Sequence, residues 1–278
     1  MPKQRSSALF VPYEIRPSKQ LERRIFLDVL IRAMRHGFEG STSTYVGNGG
    51  TKFYDFIMMH RYLGINKLIS VEADESIWPR CHYNKPLETI GIFEGEKSDF
   101  FGRFSSSSPH VVWYDSDGLF DKDLVAEIMT IGSKLPEDSF FFFTASAEPH
   151  TAIRKAVPKA RGHWFREQFD TFASDIEHDQ LSDRHYRFAI SKVMLRTVRF
   201  AFNARPGLIF NPIVKLIYKD SLWMMSIGGV LSGKLRSDKL ADDVRDSMPF
   251  LYDHADDLFY QIPQFNISEQ ERLLLESV

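Results

Sequence analysis

Cysteine is almost missing from this chain of 278 residues. The one present, Cys81, excludes an intrachain disulfide framework and a thiolate-rich zinc site, and it suits a reducing cytoplasm. No apolar run reaches the roughly 18 residues of a membrane span. The opening Met1-Pro2-Lys3-Gln4-Arg5-Ser6 is polar and lacks the apolar core of a signal peptide. We therefore expect a soluble cytoplasmic protein with no membrane partner. Internal repeats and low-complexity linkers are also lacking, and the formal net charge of −2 excludes no class of ligand. What is abundant is core material: 43% of residues are hydrophobic and 24 are phenylalanine, enough for one large domain or a domain with an appendage.

Charge is unevenly spread. Residues 1–40 are net positive, residues 150–219 hold thirteen Lys or Arg against six Asp or Glu, and the last 43 residues hold ten acids against four bases. Such asymmetry fits an anionic partner, nucleic acid included, at segments 1–40 and 150–219, or the attraction of one part of the fold for another.

The stretch that organises the reading is Tyr45-Val46-Gly47-Asn48-Gly49-Gly50-Thr51. A β-branched and aromatic run, Ser43 to Val46, precedes it, and Phe53, Phe56, Ile57 and Leu63 follow at near-helical spacing until Gly64. Strand, glycine loop and helix start together let a backbone approach a nucleotide-like ligand and offer it free N–H groups. A lone G-x-G-G equally serves as a plain tight turn. Upstream, Ile25, Phe26, Val29, Leu30 and Ala33 make the apolar face of a helix over residues 19–35, with Ser18 near its N-cap and Gly37 past its end.

Downstream, Leu68 to Val71 is a short buried strand ending in Glu72-Ala73-Asp74-Glu75. Glu72 falls about 22 residues after the glycine turn, close to the spacing at which a carboxylate grips a ribose hydroxyl. A helix from Glu75 toward Tyr83, a strand Ile90 to Phe93 ending at Glu94, and a loop or weak helix over 95–109 come next. His110 to Tyr114 is an apolar strand running into Asp115-Ser116-Asp117-Gly118. A helix over 122–134 follows, then the fully buried strand Ser139 to Ala145. Helices are expected near 163–176 and 184–202; on the second, Lys192, Arg196 and Arg199 share a face. Leu208 to Tyr218 and Leu222 to Leu231 read as an antiparallel hairpin. A charged helix near 240–248 and a capping box, Ser268 with Glu271, close the chain.

Alternating strands, the glycine turn, acids after the second and fourth strands and the hairpin together resemble the class I S-adenosylmethionine-dependent methyltransferase superfamily. A nicotinamide-binding Rossmann domain fits the hairpin less well. The resemblance implies an α/β fold: a Rossmann-like, doubly wound, seven-stranded sheet over residues 38–232, with a helical insertion at about 148–205. Residues 1–37 form a helical extension and residues 233–278 an acidic helical tail. It implies S-adenosylmethionine as cofactor, with Tyr45, Gly47, Asn48, Gly49, Gly50, Glu72, Asp74, Glu94 and Asp115 as the candidate contacts. Asp115 and Asp117 stand as candidate catalytic bases. With Glu148, these aspartates can also ligate magnesium, while the alternative for Asp117 is solvent exposure or helix capping. His150, His163, His178 and His185 are further candidate bases.

Two departures qualify the match. The family often has an acid two positions before the first glycine, where this chain has Tyr45. Tyr114-Asp115-Ser116-Asp117 is not the Pro-Pro-aromatic signature of enzymes that methylate nucleic-acid amino groups, and Cys81 is misplaced for a cytosine-C5 nucleophile. The expectation is methyl transfer to oxygen on a large or anionic acceptor. The alternative is a non-catalytic subunit of the same fold that binds a nucleotide-like ligand or a protein partner. The segment Tyr13-Glu14-Ile15-Arg16-Pro17-Ser18-Lys19-Gln20 is similar to one that precedes the core in bacterial methyltransferase-like proteins.

Overall fold

The computed structural model describes residues 16–251 and 258–263, without the side chains of residues 117 and 234–237. The strands are β1 (Thr44–Gly47), β2 (Lys67–Glu72), β3 (Ile90–Glu94), β4 (His110–Leu119), β5 (Ser139–Ser146), β6 (Ile209–Lys219), β7 (Trp223–Ser232) and β8 (Tyr260–Gln261). They form one sheet in the order β3-β2-β1-β4-β5-β7-β6-β8. The first five run parallel, β7 returns antiparallel beside β5, and β6 pairs antiparallel with β7. The chain winds outward from β1 to β3 and then resumes at β4 on the other side of β1. The C-terminal ends of β1 and β4 therefore flank the switch point where ligands of such sheets bind. An eighth strand was not expected: β8 adds parallel to the outer edge of β6 at Leu216 and Ile217.

Eight helices cover the sheet among the described residues: α1 (Pro17–Arg35), α2 (Tyr54–Leu63), α3 (Trp78–Asn84), α4 (Lys97–Arg103), α5 (Lys122–Lys134), α6 (Pro158–Phe169), α7 (Tyr186–Asn203) and α8 (Lys234–Ser247). Helices α1, α2, α3 and α8 share one core with the sheet, and α4 to α7 the other. The phenylalanine run of β5 explains why both faces must be covered. Side chains alternate along a strand, so Phe142 stacks on Phe26 of α1 at 4.3 Å while Phe141 meets Phe202 of α7 at 4.8 Å. Each ring buried contributes about 1.5–3 kcal/mol.

Several local expectations change. Helix α1 begins at Pro17, whose fixed φ and missing N–H suit a first helical position. Ser18 is no cap; its hydroxyl donates to the Lys219 carbonyl at 3.3 Å. Lys19, Glu22 and Arg23 are buried together with Ile25, Phe26, Val29, Leu30 and Ala33. Phe53 precedes α2 in a left-handed conformation at φ 52°, and Ile57 is exposed rather than on the apolar face. Residues 97–103 form α4. Strand β4 runs past Tyr114 to Leu119, with its pairing to β5 irregular between Asp115 and Leu119, so both acids lie within the strand. The expected capping box at Ser268 and Glu271 lies outside the described residues. No helix among those described is long and apolar enough to cross a membrane.

Candidate functional site

The loop after β1 lies beside the end of β2, with Gly47 level with Ser70. Glu72, 5% exposed at the last position of β2, turns its carboxylate into the loop: Oε1 accepts from the Gly50 amide at 2.7 Å and the Ser70 hydroxyl at 2.6 Å. Ser70 Oγ accepts in turn from the Gly49 amide at 2.8 Å. Burial raises the Glu72 carboxyl above its ordinary value, opposed by the bonds from Ser70 and Gly50. The loop closes on itself where the Phe53 amide donates to the Gly49 carbonyl at 2.8 Å.

Glycine is required here by packing. A Cβ on Gly49 would sit 2.4 Å from the Phe53 ring and 2.8 Å from Ser70 Oγ. One on Gly47 would sit 2.5 Å from the Tyr45 hydroxyl. Tyr45 is buried, edge-on to Phe56 at 4.9 Å, and burial pushes its phenol well above the ordinary value. Asn48 is exposed at the loop tip. Cys81 is buried, donates to the Gly50 carbonyl at 3.0 Å, and is pushed up to about 12 by burial, which makes it a structural thiol.

Across the switch point, the sheet edge meets α1 in a buried charged network. Lys19 Nζ lies 2.7 Å from Glu22 Oε2 and 2.7 Å from Asp115 Oδ2, over the Trp113 ring at 5.1 Å. Glu22 is wholly buried and accepts from three hydroxyls: Thr144 of β5 at 2.8 Å, Tyr218 of β6 at 3.1 Å and Ser226 of β7. Beside it Arg23 pairs with Asp55 of α2 at 2.6 Å. Burial alone would lower the Lys19 ammonium, but Asp115 and Glu22 outweigh it and raise it well above the ordinary value. Lys19 is therefore a fixed cation and no proton acceptor at neutral pH. Asp115 keeps its side chain 28% exposed, so one oxygen is tied to Lys19 and the group still reaches the site.

This arrangement of a glycine loop, a carboxylate at the end of β2 and an aspartate on β4 can be set against known proteins. The sequence profile of a family described as "Putative O-methyltransferase" matches residues 11–278. The chain belongs to this family. With its strand order and reversed β7, it is a member of the class I methyltransferase superfamily. Among solved structures it is similar to the S-adenosyl-L-methionine complex of Trm1 from Pyrococcus horikoshii, at 11% identity and a TM-score of 0.52. That match covers 81% of this chain and 58% of Trm1. It is also similar to an O-methyltransferase-like protein of Klebsiella pneumoniae at 13% identity and a TM-score of 0.46, over 81% of this chain and 85% of that one. At such identity the likeness is one of fold. No curated protein matches the chain.

The other candidates of this methyltransferase-family chain disperse. Asp74 accepts from the Ser76 amide at 2.9 Å and hydroxyl at 2.6 Å, capping a 3-10 turn. Glu94 is level with Glu72 on β3 but is exposed and pairs with His82 at 2.8 Å. Glu148 is drawn to β7, where it accepts from the Trp223 amide at 3.0 Å. Among the described residues no three potential ligands gather for a metal ion. Asp117 lies on β4, but its side chain is outside the description. His150 stacks on Trp164 at 5.2 Å, His178 packs on Gly162, His185 meets Ser182, and His163 is exposed. None of the four hydrogen-bonds to Asp115.

Sequence reasoning missed Lys19, Glu22, Thr144, Tyr218 and Ser226. One signal was available: Lys19, Glu22 and Arg23 stand seven, four and three residues before Phe26. They therefore extend the buried stripe of α1 by two turns.

Proposed function

We propose that this chain is an S-adenosylmethionine-dependent methyltransferase acting on an acceptor oxygen. What carries the reading is Glu72: a buried carboxylate at the C-terminal end of β2, bonded to the glycine loop after β1, at the switch point of a sheet with this strand order. The donor set fits the cofactor. An ionised carboxylate can accept from a vicinal diol, and the glycine loop leaves backbone, not side chains, beside it. Glu72 and the loop 47–50 would hold the nucleoside portion. When bound, the cofactor supplies an electrophilic methyl group on sulfur.

The chain's own residues do the rest. Asp115, held by Lys19 through Oδ2, is the group with a described side chain that can accept a hydroxyl proton as the acceptor oxygen attacks in line. Lys19, itself seated over the Trp113 ring, fixes its position, and α1 covers the sheet behind it. Removing the carboxylate by Glu72→Ala is expected to weaken S-adenosylmethionine binding by about 1–3 kcal/mol, read by calorimetric titration. Unchanged affinity would place the ribose elsewhere, and no binding to the wild-type chain would end the reading. A second reading, binding without transfer, is favoured by Tyr45, which fills the place of the family's common acid. It predicts cofactor affinity with no labelled methyl passed to any acceptor.

A further inference from the structure

The C-terminal edge of the sheet carries a second concentration of charge, outside the residues given roles above. The β6–β7 hairpin turns there, with Lys219 level with Trp223. The Trp223 amide is fixed by Glu148, and its carbonyl accepts from Ala147 at 2.7 Å, so its ring stands just past the end of β5. The Arg187 guanidinium, from the first turn of α7, lies 4.4 Å from the Trp223 ring centroid, and Lys219 Nζ lies 5.8 Å from it. Arg184 lies in the turn just before α7, its carbonyl accepting from Arg187 at 2.9 Å.

Several basic residues of the described part are neutralised by acids, and these three are not. Arg16, Lys19, Arg23, Arg32, Arg161 and Arg196 each pair with an acid. Among the described residues Arg184, Arg187 and Lys219 pair with none, and the buried Nε of Arg187 has no hydrogen-bond partner. Burial and the neighbouring Arg184 both lower the Arg187 guanidinium from its ordinary value. Like charges gathered without a counterion repel each other, and a bound anion would relieve that repulsion.

The position relative to Asp115 is also informative. Asp115 is level with Thr144 on β5, and Thr144 with Ser226 on β7. The Trp223 backbone is thus two strands across and three residues further along, on the order of 14 Å away at ordinary strand spacings. Its side chain packs on the α7 face of the sheet, whereas Asp115 points to the α1 face. An extended acceptor laid over the C-terminal edge of the sheet can reach both. Two guanidinium forks and an ammonium suit a phosphate more than a single carboxylate, because their donors can meet several oxygens at once.

We propose that Arg187 and Lys219, both beside the face of Trp223, form with the neighbouring Arg184 a subsite for a phosphate group carried by the methyl acceptor. The assignment deepens the methyltransferase reading and rests on it. The test follows the indole N–H resonance of Trp223, one of four tryptophans, in the full chain labelled with nitrogen-15 and assigned with Trp223→Phe. Inorganic phosphate is titrated at constant ionic strength, with and without saturating S-adenosylhomocysteine. A saturable shift is expected, persisting with S-adenosylhomocysteine bound, retained in Glu72→Ala and weakened about tenfold in Arg187→Gln, the scale of one charge-assisted bond. Arg187→Lys should fall between, and the other three indole signals report that each variant is folded. Absence of a saturable shift would overturn the subsite, as would an equal response to acetate or an unchanged response in folded Arg187→Gln. Loss of the response with S-adenosylhomocysteine bound would assign these cations to the cofactor instead. If S-adenosylhomocysteine fails to bind the wild-type chain, the methyltransferase reading falls, and the acceptor assignment with it, whatever phosphate does.

Discussion

The two carboxylate sites at the sheet edge are built on opposite plans. Glu72 is satisfied locally, by a hydroxyl two residues away and an amide in the loop next to its strand. Glu22 has Lys19 one turn before it but draws its three hydroxyls from β5, β6 and β7, and Asp115 of β4 is held by Lys19 of α1, so both depend on long-range partners. A carboxylate of the first kind can lose its partners without disturbing more than a loop. Glu22 alone joins α1 to three strands, and Asp115 adds β4 through Lys19, so their loss is felt throughout the fold.

The sharpest way to break this contrast is Glu22→Ala. It leaves Lys19 buried with one counterion and three hydroxyls without their acceptor, and removing one member of a buried ion pair typically costs about 3–5 kcal/mol. Urea denaturation should show that loss, whereas Glu72→Ala should lower stability by much less while lowering cofactor affinity. Equal stability losses in the two variants would mean that the local and long-range plans do not differ in energy.

That contrast also explains what the sequence made legible. The strands and helices could be anticipated because apolar runs, helical periods and turn residues are local signals, while the doubly wound order came with the family resemblance; Phe140 to Phe143 alone demand a strand covered on both faces. Glu72 was legible because its partner loop lies one βα unit away at a recurrent spacing. Glu22 was not, because nothing near residue 22 announces Thr144, Tyr218 and Ser226, whose approach depends on the order β5-β7-β6 closing under α1. Asp74 and Glu94 stood beside Glu72 as further candidate cofactor contacts. Only the geometry shows one capping a turn and the other paired with an exposed histidine.

A smaller effect should appear at alkaline pH. Lys19, Tyr45 and Tyr218 all titrate above their ordinary values of 10.5 and 10.0 in the fold. For Lys19 the two carboxylates overcome burial; for the phenols burial disfavours the anion. In each case the native state holds its proton more tightly than the unfolded chain, so this stability is complete below about pH 10 and is lost as pH rises beyond it. Each such group steepens the decline by up to about 1.4 kcal/mol per pH unit. Urea midpoints measured between pH 9 and 11 should therefore fall, and Tyr218→Phe should make the fall shallower. A flat profile would show that the network is open to solvent.

The smallest effect belongs to the other end of α1, where charge meets charge at the surface. Asp243 of α8 lies 3.0 Å from His36 and 3.2 Å from Arg32, each about a quarter exposed. The hydrogen bond from His36, with Arg32 nearby, holds the Asp243 carboxyl below its ordinary 3.8, so its contribution is present above that value and fades as pH falls through the lowered one. Surface pairs of this kind contribute roughly 0.2–1 kcal/mol and are screened by salt. His36→Ala should thus cost about 0.5 kcal/mol in dilute buffer and almost nothing in molar salt, while the cost of Glu22→Ala persists there. One helix then carries both kinds of ion pair, and salt separates them: if His36→Ala proves as costly and as salt-resistant as Glu22→Ala, burial is not what distinguishes the two ends of α1.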